Sequence, residues 1–343
     1  MKTENSLQIG NFGGSLNQID GQTIKTVMFG ELLDSIHKKN IKIDIYNYNL
    51  LQTLLLFFLL PVYIAKAKYI YIGLGKKGML FFSPWVILLS LLFRRKIIYY
   101  VIGGWIIEFL LQNKFLISLF KKFNAILVEL PSMIELGKEL GMNNMYFFPN
   151  FRITQHTPEI KPTKKDNLKL LFYSRIIKEK GITDAIDAIN LLYSNGYNVS
   201  LDIYGPIIDN SLLTNIGYSD RIKYKGVISP LDKNMYNIIN AYDLLIFPTY
   251  YNGEGFPGAI TDAFISGVPV AATYWKYNAE IVDDNKNGFL FSPNDIKSLC
   301  DKIIFFYNNP EELDILKKNA KLDSYKYSFK NAKNILLSVL TRF

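Results

Sequence analysis

The sequence predicts an α/β protein built from two doubly wound parallel sheets that face each other across a cleft. Three observations predict it. Strand-like and helix-like segments alternate through the second half of the chain. The first half repeats that rhythm less cleanly. The chain has 343 residues, enough for two domains, and 49% hydrophobic against 20% charged residues supply two cores and exclude a disordered chain. Strands alternating with helices imply parallel strands, with ligands bound outside their carboxyl ends.

In the first half, IKIDIYNY (41–48), YIYIG (69–73), KIIYYVIGG (96–104) and AILVEL (125–130) read as strands. Two apolar stretches lie between them. Leu50–Ile64 contains Gln52, Thr53 and Pro61 and reads as a helix buried against the sheet. Met79–Phe93 contains Ser83 and Pro84 and stops at Arg94-Arg95-Lys96. Each falls short of the ~18–20 apolar residues that cross a bilayer. The second, flanked by Lys76, Lys77 and Arg94–Lys96, suits lying on an anionic membrane surface. A polar, proline-containing stretch (149–167) marks the seam between domains.

In the second half, LKLLFYS (168–174) is a buried strand and GITDAIDAINLLYSNG (181–196) a helix. Its Ile182, Ala185, Ile186, Ile189 and Leu192 recur at helical spacing, and Gly196 stands where a C-terminal cap belongs. Strands follow at VSLDIYG (199–205) and IKYKGVI (222–228), then a helix through Met235–Ala241 and a strand at DLLIFPT (243–249). A helix at GAITDAFISG (258–267) precedes strands at VPVAAT (268–273) and GFLF (288–291). Ala332–Phe343 is an amphipathic terminal helix. The expected domains are 1–150, 151–330 and a terminal helix over 331–343 that can pack back on the first.

Composition removes several function classes. One cysteine, Cys300, excludes a disulfide framework or a cysteine-built metal site and fits a reducing compartment. His37 and His156 offer no zinc spacing, so no metal is expected. The polar start MKTENSLQIG lacks the apolar core of a signal peptide, which reads as cytoplasmic. The net charge of +9 sits almost wholly in residues 1–155, which hold 17 Lys and Arg against 9 Asp and Glu. A basic half suggests an anionic contact surface. It shows no basic stripe with interleaved aromatics on one element, so nucleic acid is not the expected partner. GLGKKG (73–78) has dinucleotide-loop spacing, but the following strand ends without the acid that a ribose would need.

Three loops carry candidate chemistry. Ser174–Gly181 places Arg175 after a strand and Lys180 before a helix N-terminus, where two cations and the helix dipole suit a diphosphate. Tyr250–Pro257 puts Glu254 in a glycine-containing turn with Gly255, Phe256 and Pro257, ahead of a helix. A carboxylate there can accept from sugar hydroxyls. Asp262, expected about two turns into that helix, can grip a vicinal diol such as ribose. Gly226 and Val227, after the strand IKYK, let a flat base approach the backbone.

SRIIKEKGITDAIDAI, LDIYGP, YKGVIS and GEGFPGAITDAFISGVPVAAT resemble the C-terminal half of glycosyltransferase family 4, over about residues 168–292. The resemblance implies the GT-B fold, with two Rossmann-like domains. It implies retaining transfer of a sugar from a nucleotide-diphosphate sugar, with no metal or cofactor. Glu254, Arg175 and Lys180 would be catalytic. Asp262, Gly255, Phe256, Pro257, Gly226, Val227 and Gly205 would bind the donor. The family's two acidic residues are both Glu, and here the second is Asp262. NFGGSLNQIDGQTIKT (11–26) resembles the family's glycine-rich loop, so Gly13 and Gly14 would approach donor or acceptor, with Thr23 capping a helix start. Where many relatives carry His before Gly-Gly, this chain has Ile102, leaving Gly103, Gly104 and Glu108 for the acceptor side. The implied acceptor is a glycan or a polyprenyl-diphosphate-linked glycan at the inner face of a bacterial membrane, in capsule or exopolysaccharide synthesis. A catalytically inactive sugar-nucleotide-binding subunit and a nucleotide-sugar epimerase of the same fold are the alternatives.

Overall fold

The computed structural model describes residues 4–14, 21–46, 48–154, 157–215, 220–229 and 232–343. His156 and part of the segment 11–26 lie outside them. The chain divides into two units, Met1–Ile153 with Phe329–Phe343, and Thr154–Ser328.

In the first unit, β1 (Ser6–Gly10), α1 (Gly21–Ile36), β2 (Asn40–Asp44), α2 (Leu50–Lys66), β3 (Tyr69–Gly73), α3 (Lys76–Leu92) and β4 (Lys96–Tyr100) alternate. Then come α4 (Ile106–Gln112), α5 (Phe115–Phe120), β5 (Ala125–Val128), α6 (Pro131–Glu139) and β6 (Met145–Phe147). The strands form one parallel sheet in the order β2-β1-β3-β4-β5-β6. The sequence reading named neither β1 nor β6. β1 hides because Ser6 and Gln8 interrupt its apolar run, yet both are fully buried. They are satisfied by side-chain partners. Ser6 Oγ donates to Asn40 Oδ1 at 2.9 Å, and Gln8 Nε2 donates to the Thr26 carbonyl at 2.9 Å and to the Tyr100 hydroxyl at 3.1 Å. β2 and β4 stop before the expected strands end, and residues 101–104 form a loop.

The expectation that Leu50–Ile64 is buried fails in part. Leu56, Leu60 and Ile64 face the core, but Leu51, Leu54, Leu55, Phe58, Leu59 and Val62 lie on the surface. A helix apolar on every side has no periodicity to distinguish its inner from its outer face. Its proline has a structural consequence. Pro61 cannot donate to the Phe57 carbonyl, and Trp85 Nε1 of α3 donates to it instead at 3.1 Å. The Trp85 indole also stacks on Phe57, 4.7 Å between centroids.

In the second unit, β7 (Leu168–Tyr173), α7 (Ile182–Ser194), β8 (Val199–Tyr204), β9 (Ile222–Tyr224), α8 (Met235–Ile239) and β10 (Leu244–Phe247) alternate. α9 (Gly258–Ile265), β11 (Val270–Thr273), β12 (Gly288–Phe291), α10 (Ile296–Asn308) and α11 (Pro310–Asp323) follow. The sheet is parallel, in the order β12-β11-β10-β7-β8-β9. α10 and α11 were not foreseen. α12 (Phe329–Leu340) returns to the first unit, where Ala332, Leu336, Val339 and Leu340 join a core with Phe29, Leu32, Leu33 and Ile36. Both units are α/β folds with a doubly wound parallel sheet, as the sequence predicts.

His37 is fully buried in the first unit. Its Nδ1 contacts the Glu4 carbonyl at 3.0 Å and its Nε2 the Tyr71 hydroxyl at 2.8 Å. A carbonyl only accepts, so Nδ1 carries the proton and Nε2 accepts from Tyr71. Burial therefore favours the neutral ring and pulls its pKa down to about 4. The unfolded chain takes up that proton near pH 6.5, so the contribution is complete above pH 6.5 and is lost as pH falls toward 4. We predict that acidification over this window costs about 3 kcal/mol at this site. His37→Gln should flatten that part of the pH–stability curve in thermal melts. An unchanged curve would remove His37 as its cause.

Candidate functional site

In the second sheet β7 connects onward to β8 on one side and is flanked by β10 on the other. The chain reverses direction across the sheet there, and α/β sheets bind their ligands outside the carboxyl ends of the strands at such a reversal. Lys180 comes from the first of these loops and Glu254 from the second. They meet as a buried ion pair, Nζ to Oε2 at 2.5 Å. Thr249 Oγ1 donates to the same carboxylate oxygen at 2.8 Å.

The backbone brings these groups together. Lys180 closes a single 3-10 turn, and Gly181 follows with φ of 72° before α7 begins. A Cβ at Gly181 would stand 2.2 Å from the Pro248 carbonyl oxygen, so only glycine lets the two loops approach. The Tyr250 amide donates to the Glu179 carbonyl at 2.8 Å, and Thr273 Oγ1 donates to the Thr249 carbonyl at 2.5 Å. The sequence reading missed Thr249, Thr273 and Tyr251. Tyr251 gathers the cations, because its ring centroid lies 5.0 Å from Lys180 Nζ and 5.2 Å from Arg175 Cζ. Trp275 Nε1 fixes that segment by donating to the Tyr251 carbonyl at 2.9 Å. The Tyr250-Tyr251 doublet was visible in the sequence, but nothing in it announced a shared cation platform.

Arg175 is exposed beside this pair and makes no ion pair among the described residues. The loops after β7, β8 and β9 are stitched side by side. Ser174 N–H donates to the Tyr204 carbonyl at 3.1 Å, and Gly205 N–H to the Gly226 carbonyl at 2.9 Å. A Cβ on Gly205 would collide with the Ser174 carbonyl, whereas one on Gly226 would meet open space. Val227 next to it is 61% exposed. Arg175, Gly205, Gly226 and Val227 thus line the same carboxyl edge. Gly255, Phe256 and Pro257 are buried, with Phe256 packed edge-on to Tyr327, 5.3 Å between centroids. They shape the turn that leads into α9. Asp262 is buried and stands about one turn into α9 rather than the expected two, because only four residues separate it from the helix start at Gly258.

The first unit places its candidates at the matching edge of its own sheet. Gly13 and Gly14 follow β1 with positive φ. The Asp44 carboxylate at the end of β2 takes up the amides there, accepting from Phe12 and Tyr46 at 2.9 Å and Gly14 at 2.8 Å. Thr23 lies in the first turn of α1. Gly103 and Gly104 follow β4, Ile102 is half-buried against the core, and Glu108 is exposed in the first turn of α4. A group absent from the sequence reading anchors this loop. Glu129, at the end of β5, accepts from the Gly103 amide at 3.2 Å and pairs with Lys25 Nζ at 2.6 Å. Lys25 also donates to the Val101 carbonyl. Both side chains are buried, and burial pulls the Lys25 ammonium below its ordinary pKa while Glu129 pushes the other way. A carboxylate ending an apolar strand was the one signal available.

Removing one member of a buried pair leaves the other charge uncompensated, which costs about 3–5 kcal/mol. We predict that loss for Glu129→Ala in urea unfolding. Lys25→Met with Glu129→Leu together should cost markedly less. Equal losses would mean that the pair itself is not what matters.

Residues 154–323 match the family described as Glycosyl transferases group 1. The chain is 27% identical over 219 residues to a capsular polysaccharide biosynthesis glycosyltransferase, CapM, of Staphylococcus aureus, covering 62% of this chain and 53% of that one. It spans about half the length of the curated relatives it matches. Among solved structures, Anabaena Alr3699/HepE in complex with UDP matches with a TM-score of 0.72 at 17% identity, covering 100% of both chains. A glycosyltransferase from Rickettsia africae matches with a TM-score of 0.78 at 14% identity, covering 100% of this chain and 99% of that one. At such identities these two likenesses establish the fold, GT-B.

Proposed function

We propose, from the premise that residues 154–323 are a group 1 glycosyl transferase domain, that this chain moves a sugar from a nucleotide-diphosphate sugar to a glycan acceptor in cell-surface polysaccharide synthesis. The observation that carries the reading is the gathering of Lys180, Glu254 and Arg175 around Tyr251 beyond the carboxyl ends of β7 and β10. The Anabaena relative was crystallised with UDP and with UDP-glucose, which supports a uridine diphosphate donor here.

The barrier lies in breaking the bond between the anomeric carbon and the diphosphate oxygen. Arg175 and Lys180 stabilise the charge that develops on the leaving diphosphate, aided by the N-terminus of α7. Glu254 accepts from the donor sugar's hydroxyls and Asp262 from the ribose. The acceptor hydroxyl attacks from the face that the diphosphate leaves, and a leaving phosphate oxygen takes its proton. Configuration is retained, and these cations do the work that a metal would otherwise do. Gly103, Gly104 and Glu108 lie on the acceptor side. The acceptor we assign is lipid-linked, held at the inner face of the membrane.

Glu254→Gln should keep the fold, checked by thermal melt, and lower sugar transfer at least ~100-fold, as for loss of one aimed electrostatic group. Retained turnover would take Glu254 out of the site. Arg175→Ala should weaken UDP binding by about 1.5–3 kcal/mol in calorimetry. An unchanged Kd would move the diphosphate elsewhere. Transfer should also survive chelation with EDTA, and its loss, restored by a divalent cation, would overturn the metal-free reading.

A further inference from the structure

Between their charged ends the exposed faces of α2 and α3 are mostly apolar. Leu51, Leu55, Phe58 and Val62 form one stripe on α2, and Phe81, Leu88 and Leu92 form one on α3. Leu51 is 75% exposed, Phe58 76% and Leu92 71%. The Trp85–Phe57 contact fixes the two helices side by side. Soluble surfaces rarely leave so large an apolar patch uncovered. Among the described residues no helix is long and apolar enough to cross a membrane.

Charge identifies what covers the patch. Between Asp44 and Glu108 the chain carries seven Lys or Arg and no Asp or Glu. These cations sit at the ends of the two helices. The Arg95 guanidinium donates to the Ala65 carbonyl at 2.6 Å, which brings both C-terminal ends together. Lys66, Lys68 and Arg94 are exposed there, and Lys76 and Lys77 are exposed at the start of α3. A surface cavity of about 290 Å³ opens at the joined ends, lined by Lys66, Lys68, Arg95 and Asn5, with Glu4 as its one acid. A second copy of this face would bring like charges together at both ends, and an anionic lipid surface would not.

We propose that α2 and α3 together dock this chain on an anionic bilayer. Their apolar stripes enter the boundary between headgroups and acyl chains, and the basic end engages lipid phosphates. This deepens the transferase reading, on which its place in the reaction rests, by naming the surface that brings the chain to a lipid-linked acceptor.

The test is flotation with vesicles of phosphatidylcholine alone and of phosphatidylcholine with phosphatidylglycerol. The full chain should float with the anionic vesicles and far less with the neutral ones. Lys66→Gln, Lys68→Gln and Arg94→Gln combined should weaken anionic-vesicle binding roughly a hundred-fold, because each cation near such a surface contributes about five-fold. Phe58→Ser with Leu88→Ser should abolish flotation at any salt concentration. All these side chains are exposed, and thermal melts check the fold. UDP binding in calorimetry should be unchanged in every variant. No flotation with either vesicle, or binding that ignores these substitutions, overturns the proposal. So does a dimer in sedimentation that Phe58→Ser dissolves, since the patch would then belong to a second copy. Flotation without UDP binding upholds the docking face and defeats the transferase reading alone.

Discussion

A buried ammonium and a buried carboxylate tolerate the loss of water only when they touch. In the second unit that requirement joins two loops from opposite sides of the chain's reversal point. Lys180 and Glu254 satisfy it at 2.5 Å, with Thr249 adding a neutral hydrogen bond to the same oxygen. The desolvation of such a pair usually rivals its attraction, so it is weak evidence for stability. It is better evidence for placement, because two charged groups that compensate each other at a loop edge are groups a charged ligand would recruit. Gly181 and the hydrogen bond from the Tyr250 amide to the Glu179 carbonyl hold the two loops close enough for this contact.

The first unit solves a similar problem at the same edge of its sheet with different residues. Asp44 occupies the amides of the glycine loop, and Glu129 holds both Lys25 and the Gly103 amide. Loops at the carboxyl ends of parallel strands carry many unsatisfied amides. A carboxylate from the chain itself can order them without closing the edge to a ligand. The two units therefore share architecture but differ in what they offer. One presents cations and an acid beyond the carboxyl ends of its strands, and the other a glycine loop held in shape by a carboxylate.

The alternation of apolar strands and helices was legible because parallel strands buried on both faces read as unbroken apolar runs. Loops that follow such strands were legible for the same reason, which put Arg175, Lys180, Glu254 and Gly226 in the loops after β7, β10 and β9. Three kinds of feature were not. β1 carries Ser6 and Gln8 at interior positions, so its burial depends on partners far away in the chain. α2 is apolar on all sides, so its exposed face had no pattern to mark it. Tyr251 and Glu129 act through contacts across loops, and spacing along one segment carries no record of those.

β1 precedes the other strands of its sheet in the chain, and it takes an interior position between β2 and β3. Its Gln8 finds the Tyr100 hydroxyl only across 92 residues of chain. Until that tyrosine has been made, sequestering Gln8 from water would leave one of its amide hydrogens without a partner. Hydrophobic collapse alone therefore gives this segment little to gain. β1 therefore gains its full set of hydrogen bonds only when β4, far behind it in the chain, is in place.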